Sequence, residues 1–488
     1  MAGNYTNIFY NDYQSIVEKL AILTNEFKEY KESSSNKIIL LEEENKNLGI
    51  ENEKLKKEVN RLKSQINKDS SNSSKPSSTN GFKKIFNSRE TSNNPVGAPK
   101  GHIGHTAKLQ TENITPVDIK KEVCECGGKV KNDEKYIAKQ LVDIEVIVRT
   151  VEYRGYNGTC QKCGKLHKPT FPVGINNPIQ YGPTLKTVCS GLNTKNIVSL
   201  DNTVEFIEFI TNNSINLSKT TPYNFAKELS VKLSPVMDNI KEKLMNSKYV
   251  NADESPINID GETYYLHNIS NENYTFQEVQ KTRGIDAVEK IALLTCYLGI
   301  IISDHFLMYY NYGIDNGECN AHILRYLKGV TENTKHPWAE QFRKFLLKAK
   351  EERQNLIDKG GKEFSKQQLN NYISEYRKIL SEGKRQWLED HNDYVASQDE
   401  RRLLARLTEY EHNHLLFAKD FDIPFTNNMA ERDIRPYKVK QKVGIFRNVI
   451  GADTYAINKS CISTYSKNNI DVFEAIKSAF KNNPVKIN

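Results

Sequence analysis

Three carboxylates and four thiols are the groups in this chain with the chemistry of a reactive or metal-binding centre. Asp253 lies in "NADESP", Asp304 closes the β-branched run "GIIISD", and Glu431 stands in "NNMAERDIRP". Carboxylates are the hard oxygen ligands that Mg2+ prefers, and two such ions about 4 Å apart clamp the attacking and leaving oxygens of an in-line phosphoryl displacement. Taken singly, each acid has an ordinary reading. An aspartate at a strand end commonly closes a turn, and a glutamate on a polar helix face commonly pairs with a base one turn on, here Arg435. The case for a site depends on the elements that bring the three together.

"SKYVNADESPINIDGETYYLHNIS" reads as a strand ending at Asp253, followed by a hairpin turned at Asp260 and Gly261. "NYTFQEVQ" adds a third strand, and "GIIISD" is a short central strand ended by Asp304. If the first and last of these are adjacent and parallel, Asp253 and Asp304, 51 residues apart, converge. Residues 427–435 read as a helix with Asn428, Glu431, Arg432 and Arg435 on one polar face, and Pro436 should end it.

The thiols come as two pairs, Cys124 and Cys126 in "VCECGG" and Cys160 and Cys163 in "TCQKCGK". Between them Val142, Ile144, Val146 and Val148 alternate as in a strand. Two cysteine pairs, each followed by glycine and joined by a hairpin-like segment, suit one tetrahedral structural Zn2+; free thiols are the alternative. Cys319 and His322 in "CNAH" lie one helical turn apart. Two ligands do not complete a zinc site, so they read as local structure.

Around these groups the chain is that of a soluble protein with a basic bias, 38% hydrophobic and 27% charged over 488 residues, with net charge +8 and a pI near 8.7. Its longest apolar run, "IALLTCYLGIII", has 12 residues against the roughly 20 of a membrane span. The start, "MAGNYTNIFYND", lacks the regions of a signal peptide, so a cytoplasmic location with reduced cysteines is expected. Basic residues gather in two places. Lys75, Lys83, Lys84, Arg89, Lys100 and Lys108 face the single acid Glu90, and Arg432, Arg435, Lys438, Lys440, Lys442 and Arg447 face Asp433. Patches of one sign favour a polyanion, most simply nucleic acid.

Residues 1–68 read as a helical segment with a leucine zipper. Leu41, Leu48, Leu55 and Leu62 are seven apart, with Ile38, Asn45, Asn52, Val59 and Ile66 at the companion positions. The two asparagines favour a parallel homodimer through residues 38–66, with Glu51 to Lys56 and Glu58 to Lys63 spaced to pair across chains. A Ser- and Asn-rich tether over 69–115 follows, then the cysteine module at 116–172 and a helical, DNA-binding segment at 173–246. The last resembles helix-turn-helix, with Ser218 placed to cap the second helix and Pro222 in its first turn; plain helical packing is the alternative. The acids fall in 247–335 and 419–488, separated by a charged helical insertion at 336–418.

The stretches "NSSKPSS", "GHIGHT" (101–106), the paired cysteines, "QYGPTLK" (180–186), "NADESP", "SDHFLMYYNYG", "ECNAHILRYLK" (318–328) and "NNMAERDIRP", in that order, resemble the bacterial DDE transposases of the insertion-sequence-66 family. The resemblance covers nearly the whole chain. It implies a multidomain α/β protein: an RNase H-like mixed-sheet catalytic core with a helical insertion, preceded by a coiled coil, a small zinc-binding module and a helical segment. It further implies that Asp253, Asp304 and Glu431 form an acidic triad holding two Mg2+ (or Mn2+) ions. Asn427, Asn428, Arg432 and Arg435 would position DNA or the acids. The substrates would be element ends and target DNA, with room for small accessory proteins of the element. Two other readings compete: a non-catalytic DNA-binding regulator built from zipper and zinc motif, and an RNase H-like nuclease or resolvase without strand transfer. The regulator leaves the three acids unexplained, and the nuclease does not need the whole motif order.

Overall fold

The structure is a computed structural model and describes residues 3–66, 68–69, 72–73, 108–112, 114–172, 174–389 and 395–487. The first half of the chain forms α1 (Gly3–Ile66), β1 (Gly158–Thr159), β2 (Leu166–His167), α2 (Pro183–Thr194), α3 (Leu200–Ile210), α4 (Thr221–Lys232) and α5 (Ser234–Met245). Next come β3 (Tyr249–Ile259), β4 (Glu262–Ser270), β5 (Thr275–Gln280), α6 (Ile285–Ile291), β6 (Ile300–Ser303) and β7 (Asp315–Glu318). The rest is helical: α7 (Asn320–Asn333), α8 (Pro337–Asp358), α9 (Lys366–Glu389), α10 (Val395–Glu409), α11 (Glu411–His414), α12 (Leu416–Lys419), α13 (Asn428–Val443), α14 (Val449–Lys467) and α15 (Val472–Phe480). These elements fall into two compact units, Met1–Ile85 with Gly317–Phe425, and Phe86–Asn316 with Thr426–Asn488.

The second unit is built on a mixed five-stranded sheet of order β5-β4-β3-β6-β7. The expected hairpin is there: β3 and β4 pair antiparallel from Asn251–Ser270 down to Ile259–Glu262. Asp260 and Gly261 turn it with φ of 50° and 85°, the left-handed pair that a two-residue hairpin loop requires. The strand does not end at Asp253, however; it runs on to Ile259. Pro256 is tolerated because β3 pairs with β6 only from Tyr249 to Asn251, so beyond that point one side of the strand has no ladder for a proline to break.

The pleat sends alternate residues of β3 into two different cores. Val250 and Ala252 join Ile269, Phe276 and Ile301 against the helical layer of α4, α5, α14 and α15. Ile257 and Ile259 join Leu266 and Val279 against Ile434 and Tyr437 of α13 and Tyr455 of α14. α13 therefore lies across the face on which odd-numbered β3 residues project, Asp253 among them. Pro436 does not end this helix, which continues to Val443. Burial of Ala430, Ile434 and Tyr437, with the Tyr437 hydroxyl donating to Ala452 O at 3.0 Å, holds the helix together across the proline. The sheet's β5 edge is closed by α14: the amides of Thr275 and Gln277 donate to Thr464 Oγ1 (3.0 Å) and Ser460 Oγ (2.9 Å).

Elsewhere in this unit the sequence misleads in two places. Val142 to Val148 alternate, yet no strand forms there among the described residues and these side chains are exposed, because no partner strand exists to pair with them. Ser218 does not cap α4; the cap is Thr220, and the Ser218 hydroxyl bonds to those of Thr220 and Thr221. Pro222 does sit in the first turn. The connection between α3 and α4 runs from Thr211 to Thr220, longer than the three or four residues of a helix-turn-helix.

Among the described residues, the elements of the first unit are helices apart from the end of β7. Its core gathers Trp338, Phe342, Tyr376, Leu404, Phe417 and Phe425 from α7 onward, so the helical body takes in α7 as well as residues 336–418. α1 is one helix of 64 residues, more than twice the length of the zipper, with Leu41, Leu48, Leu55 and Leu62 all exposed. Where the zipper segment gives way to the expected tether, Lys68 bonds Asp399 (2.5 Å) and Asn72 bonds Glu332 (2.7 Å), which ties this stretch to α10 and α7. The basic residues Lys75 to Lys100 lie outside the described residues.

Candidate active site

β3 and β6 run parallel, pairing Tyr249 with Ile300, Val250 with Ile301 and Asn251 with Ile302. Asp253 and Asp304 each lie two residues beyond the last pair of this ladder, Asp304 being the first residue after β6. The sequence condition for convergence, adjacent and parallel strands, is met. Glu431 occupies the first turn of α13, over the face of β3 that carries Asp253.

The charges of the three acids act on one another, although among the described residues their oxygens do not lie within one ligand sphere. The Asp253 carboxyl is held well above the usual carboxylate range, first by burial and then by the negative charges of Asp304, Glu254 and Glu431. The Glu254 amide opposes this, donating to Asp253 Oδ1 at 2.9 Å. Asp304 Oδ1 is buried and accepts no hydrogen bond. An orphan acceptor beside two further carboxylates is costly by itself and is the donor set of a hard divalent cation. Mg2+ or Mn2+ thus fits these residues.

Asn427 explains how the helix is held over the strand. It is fully buried, its Nδ2 donating to Ala252 O and its Oδ1 accepting from Asn251 Nδ2, both at 2.8 Å. Its side chain is therefore spent on β3, and α13 has no side-chain cap from it. This burial leaves Asn427 no exposed surface to offer DNA. Asn427→Ala should destabilise the full-length protein by about 1–3 kcal/mol for each group left unpaired. Urea unfolding would check this; a loss below about 0.5 kcal/mol, within the range of surface changes, would remove the amide from the account.

Asn428, Arg432, Arg435, Lys438, Lys442 and Arg447 are exposed, so α13 and the loop after it present a cationic surface. Lys438 donates to Pro256 O at 2.8 Å, and Lys440 is half-buried with its charge disfavoured by that burial. Asp433 turns inward instead, bonded to Lys467 at 2.8 Å. Asp315 begins β7 and is not among the groups that raise Asp253. Cys319 is the N-cap of α7 and is buried; His322 follows in the first turn, with Arg325 Nη1 at 3.3 Å from its Nε2.

Each cysteine pair closes a tight turn. The amides of Cys124 and Gly127 donate to Gly128 O and Cys124 O, and those of Cys160 and Gly164 to Lys165 O and Cys160 O, all near 2.8–2.9 Å. Hydrogen bonds from the Gly128 amide lower the Cys126 thiol, and those from Cys163 and Lys162 lower Cys160. That favours thiolates. Among the described residues, however, Cys124, Cys126, Cys160 and Cys163 do not come together within one ligand sphere.

The profile of the Transposase IS66 family matches residues 206–453, just over half of the chain. The chain belongs to that family. Asp253, Asp304 and Glu431 all fall within the matched span, whereas α1 and the cysteine pairs precede it. No curated protein and no solved structure matches significantly. Family membership supports a transposase function, hence DNA as the partner. No helix among the described residues is long and apolar enough to cross a membrane.

The sequence reading passed over the polar layer beneath α13. Asn268 and Gln277 lie opposite Asp253 across β4 and β5, both buried, with Gln277 Nε2 donating to Asn268 Oδ1 (3.0 Å) and to Asp433 O (2.9 Å). It also passed over Glu254, Arg283 and Tyr309. Two successive acids in a strand should have drawn notice, since the pleat buries one whenever the other faces a site.

Proposed function

We propose that this transposase is of the DDE type, cutting the ends of its insertion element and joining the freed 3′ hydroxyl to target DNA. The observation that carries the reading is the convergence of Asp253, Asp304 and Glu431, with Asp304 Oδ1 buried and unbonded. The mixed sheet, with two acids on adjacent parallel strands and the third on a helix across them, supports an RNase H-like core. Bound at these carboxylates, Mg2+ or Mn2+ would supply the Lewis-acid clamp for both displacements. Asp253 holds a proton more tightly than a free aspartate and must release it on metal binding. Asn427 sets the height of α13 over β3, and Arg432, Arg435, Lys438, Lys442 and Arg447 offer the phosphate backbone its counter-charge.

Purified protein given DNA that contains the flanks of its own gene should cut at the element ends, and join them to target, only with Mg2+ or Mn2+. Binding without cutting would favour the regulator, and cutting without joining the nuclease.

Zinc and dimerisation belong to the same reading. One Zn2+ held by Cys124, Cys126, Cys160 and Cys163 would draw the two turns together, and elemental analysis should find about one zinc per chain, as a four-cysteine structural site requires. Zinc content unchanged by Cys160→Ser with Cys163→Ser would contradict it. The exposed leucines of α1 need a partner, and two element ends need two protomers. Sedimentation of the full-length protein should give a dimer or larger that Leu48→Glu with Leu55→Glu dissociates; an unchanged mass would rule out the zipper as the interface.

A further inference from the structure

Glu254 follows Asp253 and projects to the opposite face of β3. Its side chain is only 2% exposed and both its oxygens are engaged. Arg283 Nε and Nη2 lie 2.6 and 2.5 Å from Oε1, and the Tyr309 hydroxyl donates to Oε2 at 2.7 Å. The Arg283 guanidinium rests on the Phe306 ring, 4.0 Å from its centroid, and Phe306 meets Tyr309 edge-on at 5.9 Å. One buried carboxylate thus ties together β3, the turn ahead of α6, and the segment that immediately follows Asp304.

That last segment needs holding. His305, next to Asp304, has φ of 77°, in the left-handed region that costs a residue with a Cβ about 1–2 kcal/mol. Such a conformation persists only where the surroundings over-determine it. The bond from Tyr309 and the stack of Arg283 on Phe306 hold the residues just after it, and the His305 ring itself meets Tyr310 edge-on at 5.9 Å. Stability alone is a poor reason for this arrangement, because a buried ion pair can usually be replaced by apolar side chains with little or no loss.

We propose that Glu254, Arg283 and Tyr309 form a brace that sets Asp304 at its working distance from Asp253, Glu254 being a positioning residue and not a ligand. The inference rests on the reading of Asp253, Asp304 and Glu431 as the metal-holding triad. Removing an outer-shell partner of a metal site typically costs 10- to 100-fold in metal affinity, so loosening the brace should weaken metal binding without unfolding the protein.

The test is Mn2+ binding by the purified full-length protein, read from loss of the free-ion electron paramagnetic resonance signal, with melting temperatures in chelator measured alongside. Tyr309→Phe and Arg283→Lys should raise the Kd for Mn2+ about tenfold or more while melting close to wild type, and Asp304→Asn should abolish the binding. Arg283 is partly exposed, so its lysine variant keeps the test informative if Tyr309→Phe fails to fold. The brace is overturned if both variants bind Mn2+ as wild type does while Asp304→Asn does not. It is equally overturned if their losses merely follow a fall in melting temperature, or if Glu254→Gln abolishes binding as completely as Asp304→Asn, which would make Glu254 a ligand. Wild-type protein that binds no Mn2+, or Asp304→Asn that binds it normally, would overturn the triad reading instead.

Discussion

Asp253→Asn, Asp304→Asn and Glu431→Gln should each lose cleavage and strand transfer together while still folding and binding element ends. An amide keeps the shape of the carboxylate and removes the charge that a divalent cation requires, so the loss should exceed the 10- to 100-fold cost of disturbing an outer-shell partner. Both activities fall because one site would serve both displacements. Asp315→Asn is the control: Asp315 begins the strand beside β6 in the same sheet but is not one of the acids that chiefly raise Asp253. Full activity in any of the three, or a loss confined to Asp315→Asn, would mean that the site has been placed on the wrong residues.

The crowding of these charges should also be visible without DNA. Asp253 binds its proton more tightly in the folded protein than in the unfolded chain, because burial and the neighbouring acids disfavour its anion. Its contribution to stability is therefore fully present below the unfolded pKa of about 4 and is lost as pH rises towards the raised folded value, with a limiting slope of about 1.4 kcal/mol per pH unit. Asp453, pushed up to about 6 by burial, and Glu278, raised for the same reason, add slopes of the same sign, so the informative quantity is the difference between wild type and Asp253→Asn. In chelator the two should melt alike near pH 4, with the variant increasingly the more stable as pH rises. Mg2+ should restore the wild type alone. A difference that does not change with pH, or an Asp253→Asn protein less stable than wild type at neutral pH, would show that the carboxylates do not strain one another.

What could be read in advance was whatever depends on local geometry. Asp260–Gly261 announces a hairpin because few residue pairs accept two left-handed positions, and the run at 300–303 announces a central strand by its branched side chains. What escaped depends on partners distant in sequence. β3 passes through Asp253 and Pro256 because β6 leaves it after Asn251, and α13 passes through Pro436 because Ile434 and Tyr437 are buried against the sheet. The alternation from Val142 to Val148 is as regular as that of a real strand, but no strand pairs with it among the described residues. Asn427 looks like a DNA contact in a polar motif, and only its bonds to Asn251 and Ala252 reveal a buried tie. The Glu254 brace is less visible still, since Arg283 and Tyr309 lie 29 and 55 positions beyond Glu254.

The measurement closest to the central claim is an anomalous difference map from crystals of the full-length protein soaked in Mn2+. The account predicts density between the carboxylates of Asp253, Asp304 and Glu431, with Asp304 Oδ1 as one ligand and Glu254 still bound to Arg283 and Tyr309. Manganese found only elsewhere, or three carboxylates that remain unliganded at saturating Mn2+, would contradict it.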